Sequence, residues 1–213
     1  MAQNNFIDIK VDESKLRAVE RQVREIPGAM KRIVPPAINI TATTARATTA
    51  RAIAEQIKWQ VTQVKKGISI IKARRNIWTA RVKVTSKEIP LILFGARQTK
   101  NGVSYQIDKR AGRKTIKGAF IQTMPTTGEK QKNGHKGVFL RRRSAKTSEG
   151  RDTKGRLRKG RLPIKEQYGP SLGIVFEDAA SIAADITASA GALLEKNIDS
   201  KVQWILSKYG RAG

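Results

Sequence analysis

Apolar and polar positions change period several times along this chain, and each change predicts an element. Phe6-Ile7-Asp8-Ile9-Lys10-Val11 alternates over most of its length, the pattern of a half-buried strand. Leu16, Val19, Val23 and Ile26 then recur at spacings of three and four, which predicts a helix opened by Asp12 or Ser14 and closed by Pro27-Gly28. Pro35-Pro36 suits a helical first turn, where a missing N–H costs nothing. Ile38, Ala42, Ala45, Thr49, Ile53, Ile57, Val61 and Val64 follow as one stripe, so a long amphipathic helix is expected over 36–66. Within it stands a tandem pentapeptide, Ala42-Thr43-Thr44-Ala45-Arg46 and Ala47-Thr48-Thr49-Ala50-Arg51, whose small residues let another helix approach or form a partner groove. Gly67 should loosen or end the helix, with Ile68, Ile70 and Ile71 able to continue it for a turn or two.

From Ile77 the period becomes two: Ile77, Thr79, Arg81, Lys83 and Thr85 alternate with Trp78, Ala80, Val82 and Val84, a strand with one buried face. Ile89-Pro90-Leu91-Ile92-Leu93-Phe94-Gly95 is too apolar for an exposed loop, and Pro90 puts it at a strand start or sheet edge. Asn101-Gly102 signals a hairpin leading to Val103, Tyr105 and Ile107, and further extended pieces are expected at 115–123, 137–142 and 164–170. The Ala-rich sequence from Glu177 to Lys208 carries Ile182, Ile186, Leu193, Leu194, Ile198, Val202 and Ile205 at helical spacing, with Gly191 a place for a kink. The expected fold class is α+β: an antiparallel sheet, mainly from 77–123 and 137–142, packed against long N- and C-terminal helices at 36–66 and 177–207. Residues 1–213 then form a single domain, with 5–26 a strand-and-helix appendage and 141–161 a basic, partly flexible insertion.

Charge changes this picture more than anything else. The 213 residues include 43 Lys+Arg against 17 Asp+Glu, a formal net charge of +26. Residues 87–165 hold 22 basic and 5 acidic residues, whereas 166–213 hold 4 and 6. The steepest stretch is 141–165, with Arg141, Arg142, Arg143, Lys146, Arg151, Lys154, Arg156, Arg158, Lys159, Arg161 and Lys165 against Glu149 and Asp152. Such a segment repels itself and has little to bury beyond Leu157, so it is expected to order only on a polyanion or partner. Arg51, Lys58 and Lys65 follow at seven-residue spacing and would make a basic ridge on the long helix. Lys and Arg in this density grip phosphates without reading sequence, strongly at low salt and weakly at high salt.

Candidate chemistry is sparse. There is no Cys, which removes thiol catalysis, disulfides and Cys-ligated metals, and the one His, His135, sits in a turn-like basic stretch that reads as a solvated loop. No nucleophile with its base, no carboxylate pair and no phosphate-cradling Gly loop is found, so no enzymatic activity, cofactor, metal or small-molecule substrate is expected. Glu177-Asp178 reads as helix first-turn acids, and Trp59, Trp78 and Trp204 as packing residues. No apolar run approaches the roughly 20 residues that span a bilayer, and the start, MAQNNFIDIKVDESK, lacks a signal-peptide pattern, so synthesis in a cytoplasm and no membrane partner are expected.

One ordered set of landmarks points further. Ala37-Ile38-Asn39-Ile40 opening a small-residue helix, Lys72-Ala73-Arg74-Arg75, the strand Ala80-Arg81-Val82-Lys83-Val84, Ile89-Pro90-Leu91-Ile92-Leu93-Phe94-Gly95-Ala96-Arg97 and Gly118-Ala119-Phe120-Ile121-Gln122 stand in that order. Gly137-Val138-Phe139-Leu140-Arg141 and Leu162-Pro163-Ile164 follow. This succession, over most of 29–190, resembles the phage minor tail protein Z family. The resemblance implies a tail-completion protein of a tailed bacteriophage or prophage, made in the host cytoplasm and located in the virion tail or neck. It implies a role at the head-proximal end of the tail, in holding or passing DNA. It also implies a homo-hexamer ring between tail-tube or tail-terminator and neck or connector proteins. Rings of so basic a chain need polyanions or acidic neighbours close by. The competing expectation is a cytosolic nucleic-acid-binding protein, ribosome- or nucleoid-associated.

Overall fold

The computed structural model describes residues 6–124, 134–141, 164–178 and 180–209. Helices and antiparallel strands share the chain, with one long helix near each end, an α+β fold. The chain divides into two compact units: residues 1–55, 60–87 and 171–213 form the first, and 56–59 with 88–170 the second.

In the first unit, strands β1 (Phe6–Lys10), β2 (Ile68–Ile71) and β3 (Thr79–Val84) form an antiparallel sheet in the order β1-β3-β2. The alternation in β3 does what its period demands: Ala80, Val82 and Val84 are fully buried. On the other face Asp8 stands opposite Arg81, and the two carboxylate oxygens accept from Nε at 2.6 Å and Nη2 at 2.8 Å. Residues 6–22 are thus an edge strand and a helix of this unit, α1 (Glu13–Gln22) being tied by Lys15 to Asp199 at 2.9 Å. Asp12 precedes α1 without a side-chain capping bond, and the helix ends at Gln22, short of Pro27-Gly28.

The long helix expected over 36–66 is displaced and divided. Helix α2 runs Ala29–Gln56, so Pro35 and Pro36 lie inside it. They remove the N–H groups that would meet the carbonyls of Lys31 and Arg32, which belong to exposed residues where water can replace the bond. Thr41, Thr43, Thr44, Thr48 and Thr49 each return their hydroxyl to the carbonyl four residues back, which satisfies the hydroxyl inside the helix. After Gln56 the chain leaves the helix and resumes it only as α3 (Val61–Lys66). Ile68–Ile71, expected to prolong the helix, is β2 instead, paired with β3 from Ile68 opposite Val84. Helices α4 (Leu172–Asp178) and α5 (Ala180–Tyr209) close the unit, and α5 passes Gly191 without interruption. Glu177 and Asp178 therefore end α4 rather than open the last helix. Asn197 of α5 donates to Thr41 of α2 at 2.9 Å, and Ile33, Ile38, Ile53, Ile68, Leu172, Ile198 and Ile205 are among the fully buried side chains.

The second unit is built from short strands. β4 (Glu88–Pro90) pairs with β11 (Tyr168–Ser171). β5 (Arg97–Thr99), β6 (Gly102–Tyr105) and β7 (Lys114–Lys117) form one sheet, and β8 (Phe120–Met124), β9 (His135–Arg141) and β10 (Ile164–Glu166) another, in the order β10-β9-β8. The single sheet expected from 77–123 and 137–142 is therefore several small ones, with β3 in a different unit from the rest. Leu91–Phe94 is a 3₁₀ turn, and Gly95 follows with φ 62°, a left-handed conformation that glycine adopts without strain. The hairpin turns at Lys100-Asn101, since Thr99 pairs with Gly102. Gln56–Trp59, the break in the expected helix, belongs to this unit: Ile57 bridges Asp108, the Lys58 N–H donates to Ile107 at 2.7 Å, and Trp59 lies 6.5 Å from Phe94.

Candidate polyanion-binding surface

The basic residues singled out in the sequence fall into two groups. Arg142, Arg143, Lys146, Arg151, Lys154, Arg156, Arg158, Lys159 and Arg161 lie outside the described residues, as does nearly all of the 141–161 segment expected to be partly flexible. Its roots are described. Arg141 ends β9 and stands opposite Ile164, which begins β10, so 142–163 connects two paired antiparallel strands. Arg141 is exposed, and its guanidinium lies 5.5 Å from the centre of the Phe120 ring. The other connection of this sheet, 125–133, joins Met124 to a strand that begins opposite it at His135.

Arg51, Lys58 and Lys65 do not form one ridge. Arg51 is exposed on α2, Lys65 is exposed on α3, and Lys58 lies in the segment between them, its Nζ donating to Gln106 Oε1 at 2.8 Å. Seven-residue spacing aligns side chains only while the helix continues, and α2 stops at Gln56 because the next residues bond to 107–109 instead.

His135 is not in a loop. It opens β9 and shares a 2.7 Å hydrogen bond between Nε2 and Glu166 Oε1, while the Tyr168 hydroxyl donates to Glu166 Oε2 at 2.7 Å. A glycine permits this. A Cβ on Gly137 would stand 2.7 Å from Glu166 Oε1 and 3.0 Å from Phe139 Cζ, so the carboxylate lies in space that any other residue would fill. Acceptance of that hydrogen bond by Glu166, helped by desolvation and by the negative charges of Glu166 and Glu88, raises the Tyr168 hydroxyl above its usual pKa. The cluster clamps β10 and β11 to β9; it offers a carboxylate already engaged on both oxygens rather than a free base.

A second concentration of cations, which residue spacing did not reveal, lies within the first unit. A cleft of about 590 Å³ is lined by Lys31 and Arg32 of α2, Arg75, and Lys201 and Trp204 of α5. Trp204, read from sequence as a packing residue, is 55% exposed. Its place in the helical pattern held the signal: Val202 and Ile205 occupy the buried stripe, and Trp204 falls between them.

Ion pairs in the first unit include Lys15–Asp199, Arg17–Glu13 and Arg81–Asp8. No group of three or more His, Cys, Asp or Glu able to hold a metal ion occurs among the described residues, and no helix there is long and apolar enough to cross a membrane. The second unit carries 22 basic and 6 acidic residues. An excess of this size sets up a positive field around the unit. No protein-family model, no curated protein and no solved structure matches this chain.

Proposed function

We propose that this chain is a structural protein of a tailed-phage virion that completes the head-proximal end of the tail, as a homo-hexameric ring, and that its second unit holds DNA or acidic ring surfaces through charge. The ordered landmarks over 29–190 supply the phage reading. The observation that carries the charge mechanism is the excess of 22 basic over 6 acidic residues in the second unit, with Arg141 at the root of the 142–163 connection. In a ring those connections repeat around one axis, and the repulsion among them falls only when phosphates or carboxylates lie between them.

Replacing Arg141, Arg142 and Arg143 together by Gln tests the mechanism. Particles assembled with the variant should lose DNA retention and infectivity, and the salt dependence of polyanion binding should fall by up to about one phosphate equivalent per contacting residue. The fold should persist, since solvated arginines carry little stability. Wild-type retention and infectivity would remove this segment from the functional surface. The same charge also suits a cytosolic nucleic-acid-binding protein, and that reading would prevail if the chain copurified with ribosomes or nucleoid and not with particles.

A further inference from the structure

The cleft on the first unit gathers charge of one sign. Lys31, Arg32, Arg75 and Lys201 line it, and no residue lining it is acidic. Two ammonium groups also hang over one indole: Lys201 Nζ lies 5.8 Å and Lys208 Nζ 5.4 Å from the centre of the Trp204 ring. Like charges gathered without a carboxylate raise one another's energy, and an exposed indole leaves a large apolar surface in water. A single ligand relieves both if it carries negative charge and a flat π face together.

Two of the four cations, Arg32 and Arg75, stand on anchored positions. Arg75 sits on a turn closed by Arg74 and Ile77, each donating its N–H to the other's carbonyl, at 2.9 and 3.1 Å. That turn is pinned to α2 by Asn39, whose Oδ1 accepts from Ala73 N–H at 2.8 Å and whose Nδ2 donates to the Ala73 carbonyl at 3.0 Å. The Trp78 indole N–H adds a bond to the Arg75 carbonyl at 3.0 Å. Arg32 is oriented by the Tyr209 hydroxyl. Lys201 and Trp204 stand one turn apart on α5, a helix of 30 residues. Preorganised donors lose less freedom when a ligand arrives than free side chains would.

We propose that this cleft binds single-stranded nucleic acid, one unpaired base stacking on Trp204 while Lys31, Arg32, Arg75 and Lys201 take the flanking phosphates. A volume near 590 Å³ is that of a site for a nucleotide-sized group. Duplex DNA offers phosphates but keeps its bases stacked internally, and an acidic peptide offers charge without a flat ring for the indole. A base over Trp204 would move the two ammonium groups outward, toward the phosphates on either side of it. The site does not rest on the tail reading, and a failure of either leaves the other standing.

The experiment uses the full chain carrying the Arg141, Arg142 and Arg143→Gln changes, so that the second unit contributes less. Binding of a fluorescent oligothymidylate is compared with binding of inorganic polyphosphate, which has charge and no bases. Trp204→Ala should weaken the oligothymidylate on the order of tenfold, leave polyphosphate unchanged, and be rescued largely by Trp204→Phe. Arg75→Gln and Lys31→Gln should weaken both ligands. In the chain with Trp204 intact, saturating oligothymidylate should quench tryptophan emission and polyphosphate should not, a readout that needs no truncated variant. Wild-type affinity for oligothymidylate in Trp204→Ala, an equal loss for polyphosphate, absence of quenching, or displacement of the oligonucleotide by polyglutamate at equal charge concentration would each overturn the proposal.

Discussion

The two units spend their basic residues differently. The first sets 21 against 11 acidic residues, and its ion pairs include Lys15–Asp199 and the two-pronged Arg81–Asp8 contact. The second sets 22 against 6 over fewer residues, and half of those 22 fall in the connections 125–133 and 142–163. Their cores differ in the same sense. Long helices with aliphatic stripes fill the first unit, whereas the second depends on a few anchors, Phe94, Leu91, Val103 and Val138, beneath strands of three to seven residues. High charge is thus borne on the unit with the least apolar mass to resist its own repulsion, which makes the anchors there the sharpest places to test.

The largest expected effect is at Phe94. It is fully buried, Trp59 stands 6.5 Å away, and a Cβ on Gly169 would lie only 2.5 Å from its Cε2, so its ring fills the space beside that glycine. Phe94→Ala should cost about 3–5 kcal/mol. In hydrogen-exchange mass spectrometry, peptides of β4 through β9 should lose protection while peptides of α2 and α5 keep theirs. Equal loss in both would show that the units unfold as one and would dissolve the comparison.

Next comes Gly137. Adding a methyl there drives Glu166 from its place and strains Phe139, with an expected loss of about 1–3 kcal/mol and a lower Tm. Gly112→Ala in the same unit is the control: nothing lies within 4 Å of its Cβ position, and stability there should hold or rise slightly. Equal losses at the two glycines would mean that the His135–Glu166–Tyr168 contacts contribute nothing particular.

Elements with a sustained period were readable in advance. Ala80, Val82 and Val84 alternate through β3, and the helical spacing of Ile186, Leu194, Ile198, Val202 and Ile205 alone marks the buried side of α5. The errors have local physical causes. Pro35-Pro36 favours a helix start, yet tertiary burial of Ala29, Ile33 and Val34 extends α2 back past them. Ile57 continues the helical stripe, but its bridge to Asp108 and the bonds of Lys58 and Lys109 to distant backbone draw 56–59 out of the helix. Such pairings are non-local, and a stripe of apolar residues says nothing about them. For the same reason Arg51, Lys58 and Lys65 looked like one ridge, while Arg75 meets Lys31 and Lys201 only because Asn39 clamps a loop thirty-four positions away.

The smallest effects lie at opposite ends of the pH scale, one in each unit. In the first, the two hydrogen bonds from Arg81 hold the Asp8 carboxyl below its ordinary 3.8, against the opposing effect of burial. A lowered folded pKa means that the contribution is complete above about 3.8 and is lost as pH falls through the lowered value. In the second, the bond to Glu166 lifts Tyr168 above its ordinary 10.0. A raised folded pKa has the opposite sign: the contribution is complete below 10.0 and disappears as pH rises through the raised value. Urea midpoints of the wild type against Asp8→Ala and Tyr168→Phe should therefore differ at neutral pH for both. The Asp8 difference should close only in strong acid and the Tyr168 difference only in strong alkali. Both groups are partly solvated, so each shift in midpoint should be modest and should shrink with salt for Asp8. A Tyr168 difference that persisted unchanged in strong alkali would show that the hydroxyl contributes nothing through its bond to Glu166.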